Sequence, residues 1–438
     1  MTQVFYSSTF FGAMTLASAM DAGRFGPHTG RRILLVSGNA SVPEVTPALD
    51  EAPGFAALRR RFDEVRSWNE VIAPLHPSDW KARIIEVPML GRLLSSHLSL
   101  DDGVEELVLE SIAVPPARTV AALIRDCPIT VYSDGLMSYG PTRDPLPLEI
   151  SGRITRLLHL DLVPGLTPLL LTEAGVPADP LPDDTFHHIL TEVSTPPPPD
   201  QATYGNTGGP ATHGSPGGAM ILGQYLSALE IVTADEEAEL HAGMLRALVA
   251  RGHTNVLFKP HPAAGRHHAR RLREVAAELG VELTVAGETV PAEVCFQTAR
   301  PALVVGCFST ALMTAHRLFG IPVATMGCDI VLERLVPYEN SNRIPVTIVD
   351  ATVPRLAPDG SITDPPQTDL PGLVNAVGFC MQSENHPSLR EAAARYIETH
   401  GTQARYFKTR RLTSVGLLPT PDPPKPKPLS RLRRALSR

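Results

Sequence analysis

Three short stretches of this sequence set chemically capable side chains just beyond an apolar run. In the first, Ile129-Thr130-Val131-Tyr132 leads into Ser133-Asp134-Gly135-Leu136-Met137-Ser138-Tyr139-Gly140-Pro141-Thr142-Arg143. An Asp-Gly step alone is a turn signal. Here the Asp follows a strand pattern, and the hydroxyl- and Gly-rich string after it is longer than a turn needs. A carboxylate at a strand end suits a general base. In the second, Val256-Leu257-Phe258 runs into Lys259-Pro260-His261-Pro262. Each Pro fixes its own φ and biases its predecessor toward extended geometry, so His261 is presented rigidly. A cation beside an imidazole suits a phosphate leaving group; the plain structural reading is a loop His on a surface turn. In the third, Leu303-Val304-Val305 ends at Gly306, and Ser309 or Thr310 starts a helix. Free N–H groups and the helix dipole there can hold an anion; the plain reading is an N-cap.

Taken together the three divide the labour of an inverting transferase that uses a nucleotide donor. A base takes a proton from an acceptor hydroxyl, while fixed charges stabilise the departing phosphate. No EF-hand loop, HExxH or Walker A pattern occurs, so Lys, His and helix N–H groups must carry that charge and no metal cofactor is expected. His267-His268 sits in an Arg-rich helical pattern and reads as a solvated face.

The elements that must position these groups are legible as strand–helix alternation. Strands are expected at Val4–Tyr6, Arg32–Val36, Glu64–Trp68 and Ile129–Tyr132, then at Ala219–Leu222, Val256–Phe258, Glu282–Val285, Leu303–Val305, Pro322–Thr325 and Val346–Val349. One helix is well signalled: Thr233 and Glu236 make a capping box, Leu240, Met244, Leu245 and Leu248 make a stripe, and Gly252 stops it. Ala17-Ser18-Ala19 reads as the first helix after a first strand. Residues 194–218 are too rich in Pro and Gly to pack a core. The expected architecture is therefore α/β, with two Rossmann-like doubly wound domains facing a central cleft. The first is residues 1–193, 194–218 is a linker, and the second is 219–383. A helical segment (384–412) and a basic Pro-rich tail (413–438) follow.

Composition excludes several classes. Five cysteines without a CxxC pair fit reduced thiols and a cytoplasmic protein. The N-terminus lacks a basic signal-peptide region, and no run of 18 apolar residues suits a membrane span. The net charge of -7 hides an asymmetry. From Arg405 onward there are ten Lys and Arg against one acid; residues 1–404 carry 29 basic and 45 acidic residues. An acidic body is not a nucleic-acid binder. The tail either lies on the inner face of an anionic membrane or is a solvated extension.

At these motifs the sequence resembles bacterial sialyltransferases, most closely the alpha-2,8-polysialyltransferase family. The string from Asp134 to Arg143 is similar to the family's first motif, Lys259–Pro262 to its HP motif, and Ser309-Thr310 to its paired-hydroxyl motif. Softer similarity covers Ser7–Gly12, Trp68 through Trp80, Asp161–Leu171, Gly223-Gln224 and Pro291–Glu293. The resemblance implies a GT-B fold and a CMP-sialic acid donor. It implies Asp134 as base and His261 as support for the donor phosphate. On the donor side it adds Lys259, Pro262, Gly306, Ser309, Thr310, Glu293, Gly223 and Gln224. On the acceptor side it adds Ser8, Gly12, Gly135, Ser138, Tyr139 and Arg143. The acceptor is expected to be a hydroxyl of a glycan or glycolipid. Ser133 stands where the family's motif usually carries a further acid. Another nucleotide sugar, or binding of a sugar nucleotide or glycan without catalysis, is the alternative reading.

Overall fold

The computed structural model describes residues 1–27, 29–40, 42–133, 135–195, 217–261 and 269–419. Asp134, Pro262, His267, His268, most of the 194–218 stretch and the tail from residue 420 lie outside the described residues.

Among the described residues, fourteen strands form two sheets. The first contains β1 (Thr2–Ser7), β2 (Arg31–Val36), β3 (Glu64–Ser67), β4 (Val104–Glu110), β5 (Ile129–Ser133), β6 (Ile154–Leu160) and β7 (Ala178–Leu181). Their order is β3-β2-β1-β4-β5-β6-β7, and every neighbouring pair is parallel. The second contains β8 (Ala219–Leu222), β9 (Asn255–Lys259), β10 (Glu282–Val285), β11 (Leu303–Gly306), β12 (Val323–Thr325), β13 (Arg355–Leu356) and β14 (Ile362–Thr363). Its order is β10-β9-β8-β11-β12-β13-β14, with only the last pair antiparallel. Both are doubly wound, as the alternation predicts. Each reverses direction once, between β1 and β4 and between β8 and β11. Ligands in such sheets bind outside the carboxyl ends at that switch point.

The central strands are buried on both faces, so they read as continuous apolar runs rather than alternating ones. Ile33, Leu34 and Leu35 of β2 are fully buried, as are Val131 and Tyr132 of β5. The helix Ala234–Ala250 forms as expected: Thr233 accepts from the Glu236 amide and Glu236 accepts from the Thr233 amide. The helix Phe10–Asp21 follows β1 and contains Ala17–Ala19.

The expected strand Val346–Val349 is a correction. Those residues lie inside the helix Arg343–Thr352. Every residue from Arg343 to Ala351 is buried, so no polar face betrays the helical period. Pro345 sits in the first turn, where a missing N–H costs nothing. Conversely, β4, β6 and β7 were not expected. β4 carries Glu105, Glu106 and Glu110, and β7 is an edge strand interrupted by Pro180.

Residues 370–386 pack back onto the first domain. The helix Leu370–Met381 returns to the first domain, where a Cβ on Gly378 would lie 2.6 Å from Leu169 Cδ1. Gln382 donates to the Arg143 carbonyl (2.7 Å), and His386 lies 3.7 Å from the Glu173 carboxylate.

Candidate active site

The two switch points face each other across one cavity of about 290 Å³. Thr9, Phe10, Phe11 and Gly135 line it from the first domain; Gly223, Lys259, His261, Glu293, Ser309 and Thr310 line it from the second. Three motifs distant in sequence thus share one cleft.

In the second domain, β9 ends at Lys259, which is buried. Its Nζ donates to the carbonyls of Pro260 (2.5 Å) and Glu288 (3.1 Å). Burial pushes its pKa from 10.5 down to about 8, opposed by the nearby Cys295, Glu293 and Glu288. His261 stacks on Tyr225, with ring centroids 4.0 Å apart and planes 32° apart. Burial and the Lys259 charge lower its pKa from 6.5 to about 4, so its ring is neutral at pH 7. Gly223, directly after β8, stands in a tight space. A Cβ there would lie 3.0 Å from the Phe258 ring and 3.2 Å from the His261 amide nitrogen, and its N–H already donates to the Lys259 carbonyl (2.8 Å). Gly306 abuts Leu222 in the same way, 3.2 Å from an added Cβ to the Leu222 Cβ.

Ser309 is the N-cap of the helix Thr310–Phe319, and its Oγ accepts from the Ala311 amide (3.3 Å). Thr310 faces the other domain: its Oγ1 accepts from the Leu136 amide (3.3 Å), and a Cβ on Gly135 would lie 3.0 Å from it. The string that follows Asp134 therefore touches the start of the helix Thr310–Phe319 directly. Glu293 is buried on the helix Ala292–Ala299, where its carboxylate accepts from the Thr314 hydroxyl (2.8 Å).

Behind the first-domain lining lies a buried carboxylate that the sequence reading missed. Glu110 ends β4 at the switch point and is buried. Its Oε1 accepts from the Ser8 amide (2.7 Å) and the Ser8 hydroxyl; its Oε2 lies 3.0 Å from the Tyr132 hydroxyl. The carboxylate sits over the start of the helix Phe10–Asp21, where the dipole favours it. Gly12 makes this possible, because a Cβ there would stand 2.6 Å from Glu110 Oε2. The legible signal was an apolar strand pattern ending in an acid. Tyr225 was missed too, since a lone Tyr after a strand carries no sequence signature.

Four other expected residues make contacts within the fold. Tyr139 is fully buried, and its hydroxyl accepts from the Val163 amide (3.1 Å). Ser138 donates to the Gly135 carbonyl (3.0 Å). Gln224 is buried, with its amide donating to His241 Nε2 (3.3 Å). Arg143 is exposed, and its carbonyl accepts from Gln382. None of these four is among the described residues that line the cleft. Among the described residues, no group of three or more His, Cys, Asp or Glu is placed to hold a metal ion, and no helix is long and apolar enough to cross a membrane.

A family model described as Alpha-2,8-polysialyltransferase (POLYST) matches residues 3–328, a span that holds all three motifs. No curated protein matches the chain. Similar solved structures include the GT-B domain of a sialyltransferase from Photobacterium damselae, at 12% identity and TM-score 0.40, covering 80% of this chain and 96% of that one. Acinetobacter baumannii MurG is similar at 12% identity and TM-score 0.38, covering 95% of this chain and 99% of that one. A putative UDP-N-acetylglucosamine 2-epimerase from Listeria monocytogenes is similar at 9% identity and TM-score 0.42, covering 74% and 78%. The chain's own two doubly wound sheets, facing across a cleft, have the GT-B arrangement.

Proposed function

This chain belongs to the alpha-2,8-polysialyltransferase family and is a glycosyltransferase; from that premise we propose an inverting, metal-independent transfer of sialic acid from CMP-sialic acid to a hydroxyl acceptor. In this reading Asp134 deprotonates the acceptor. Lys259, His261 and the helix start at Ser309–Thr310 take the phosphate of the leaving CMP, and Glu293 holds the donor's polar face. The carrying observation is the Leu136–Thr310 contact, which joins the string after Asp134 to the anion-binding helix start within the cleft that Lys259 and His261 line.

The electrostatics refine the roles. A buried cation can stabilise charge developing on the phosphate without a metal ion. His261, neutral at pH 7, supports the phosphate by donating a ring N–H rather than by delivering a stored proton. Glu110 already occupies the helix start in the first domain. The donor anion is thereby left to the second domain.

The test is ligand discrimination followed by base removal. CMP at about 100 times its Kd should stabilise the protein by about 2.7 kcal/mol, while UDP and GDP at the same concentration add little. Asp134→Asn should cost about 10²–10⁴ in CMP release from CMP-sialic acid. Equal stabilisation by UDP or GDP would move the reading to another sugar nucleotide. Turnover within a few-fold for Asp134→Asn would remove the base assignment.

A further inference from the structure

The segment Trp80–Leu93 of the first domain carries an apolar face that none of the described residues covers. Ile84 is 92% exposed and Ile85 85%, with Met89 and Leu93 about half exposed. Monomeric proteins seldom leave such residues contiguous without a partner surface. Ile85, Met89 and Leu93 are spaced by four, so the helix Val87–His97 and its lead-in present them on one side. The opposite side of that helix packs inward through Val87, Gly91 and Leu94.

The face starts at the cleft end of the domain with Ile84 and Ile85 and continues along the helix Val87–His97 toward the amino edge of the sheet, where a Cβ on Gly91 would lie 2.8 Å from the Leu123 carbonyl. The segment runs from β3 toward β4, two parallel strands, so its first half leaves from the carboxyl edge. Trp80 fixes it there. Its ring packs 6.2 Å from that of Trp68, the residue directly after β3. Its carbonyl accepts from Thr119 in the helix Ala117–Leu123, which follows β4. Ile84 and Ile85 therefore stand on the same rim of the sheet as Ser8 and Glu110.

Charge selects the partner. Residues 1–404 carry 29 basic and 45 acidic side chains, yet Trp80–Leu93 holds Lys81, Arg83 and Arg92 against Glu86 alone. Glu86 is paired with Arg83, while Lys81 and Arg92 are exposed. A two-fold contact with a second copy would set these cations against their own counterparts. A bilayer with anionic headgroups accepts both the aliphatic side chains and the cations beside them.

We infer that the face formed by Ile84, Ile85, Met89 and Leu93 docks the first domain on an anionic membrane, with the acceptor rim of the cleft turned toward the lipid. The inference does not depend on the donor being CMP-sialic acid; it makes a membrane-borne acceptor hydroxyl the accessible class. Each large aliphatic side chain that leaves water adds on the order of tenfold to partitioning.

The test is sedimentation of the full chain with phosphatidylcholine vesicles, with and without added phosphatidylglycerol. The wild type should bind the anionic vesicles preferentially. Ile84→Glu/Ile85→Glu should lower that binding about tenfold or more, with thermal midpoint and CMP stabilisation unchanged. Lys81→Glu/Arg92→Glu, which spares the apolar face, should lower binding to anionic vesicles only. The inference is overturned if the isoleucine variant sediments like the wild type, or if the wild type binds neither vesicle. It is also overturned if the wild type is a dimer that the isoleucine variant makes monomeric. CMP binding is read separately, so its failure would count against the donor and leave the docking result intact.

Discussion

Lys259 supplies the sharpest test of the donor side. Its ammonium is buried at the end of β9, where it donates to two carbonyls, and its pKa falls from 10.5 to about 8. That displacement corresponds to roughly 3 kcal/mol at the outside, the penalty for keeping the charge dry. A bound phosphate beside it relieves the penalty and draws the proton back. CMP should therefore bind to the protonated form and lose affinity as that form disappears. Relative to pH 7, affinity should fall about tenfold at pH 9 and about a hundredfold at pH 10. The phosphate's own second pKa is near 6, so the ligand's charge is constant over this range. The folded state releases this proton before the unfolded chain does, so the residue's contribution to stability improves as pH rises from about 8 to 10.5. Weaker binding at high pH thus cannot be mistaken for unfolding at this group. Calorimetric titration of CMP from pH 7 to 10 reads the slope. Lys259→Met should weaken binding ten- to a hundredfold at pH 7 and abolish the slope, because a charge-assisted hydrogen bond is worth about 1.5–3 kcal/mol. A flat affinity in the wild type, or an unchanged slope in Lys259→Met, would refute the assignment.

Three further outcomes follow from the geometry. His261 has its folded pKa lowered from 6.5 to about 4, so the stability it contributes is present above pH 6.5 and lost as pH falls toward 4; thermal midpoints over pH 4–7 should fall less steeply for His261→Gln than for the wild type. Tyr225→Ala should weaken CMP binding about two- to tenfold by releasing the His261 ring, while Tyr225→Phe stays within twofold, both read by titration. Gly12→Ala should cost about 1–3 kcal/mol in urea unfolding, because its methyl meets the Glu110 carboxylate, and the cost should shrink in a Glu110→Ala background.

Much of the molecule was legible in the sequence because the relevant physics is local. Apolar runs ending at Tyr132, Phe258 and Val305 marked strands, the Thr233–Glu236 box marked a helix start, and prolines on either side of His261 marked a constrained loop. Alternation of such elements leaves few folds other than paired doubly wound sheets. The Val346–Val349 segment failed because a helix buried all round shows no period. β4 and β7 failed because acids and a proline masked strands whose neighbours supply the stabilisation.

Chain fold alone decided what meets what. Strand order put the turns after β1 and β8 and the ends of β4 and β11 at two switch points, and packing of the domains brought those points together. Only then did Thr310 reach Leu136, Tyr225 cover His261, and Glu110 settle on the Ser8 amide. Burial did the rest. The sequence specifies a lysine and a histidine with ordinary proton affinities; removing water is what leaves Lys259 near 8, and removing water beside the Lys259 charge is what leaves His261 near 4. Residue type and local spacing are written in the chain, whereas partner and dielectric exist only once distant segments enclose a common space.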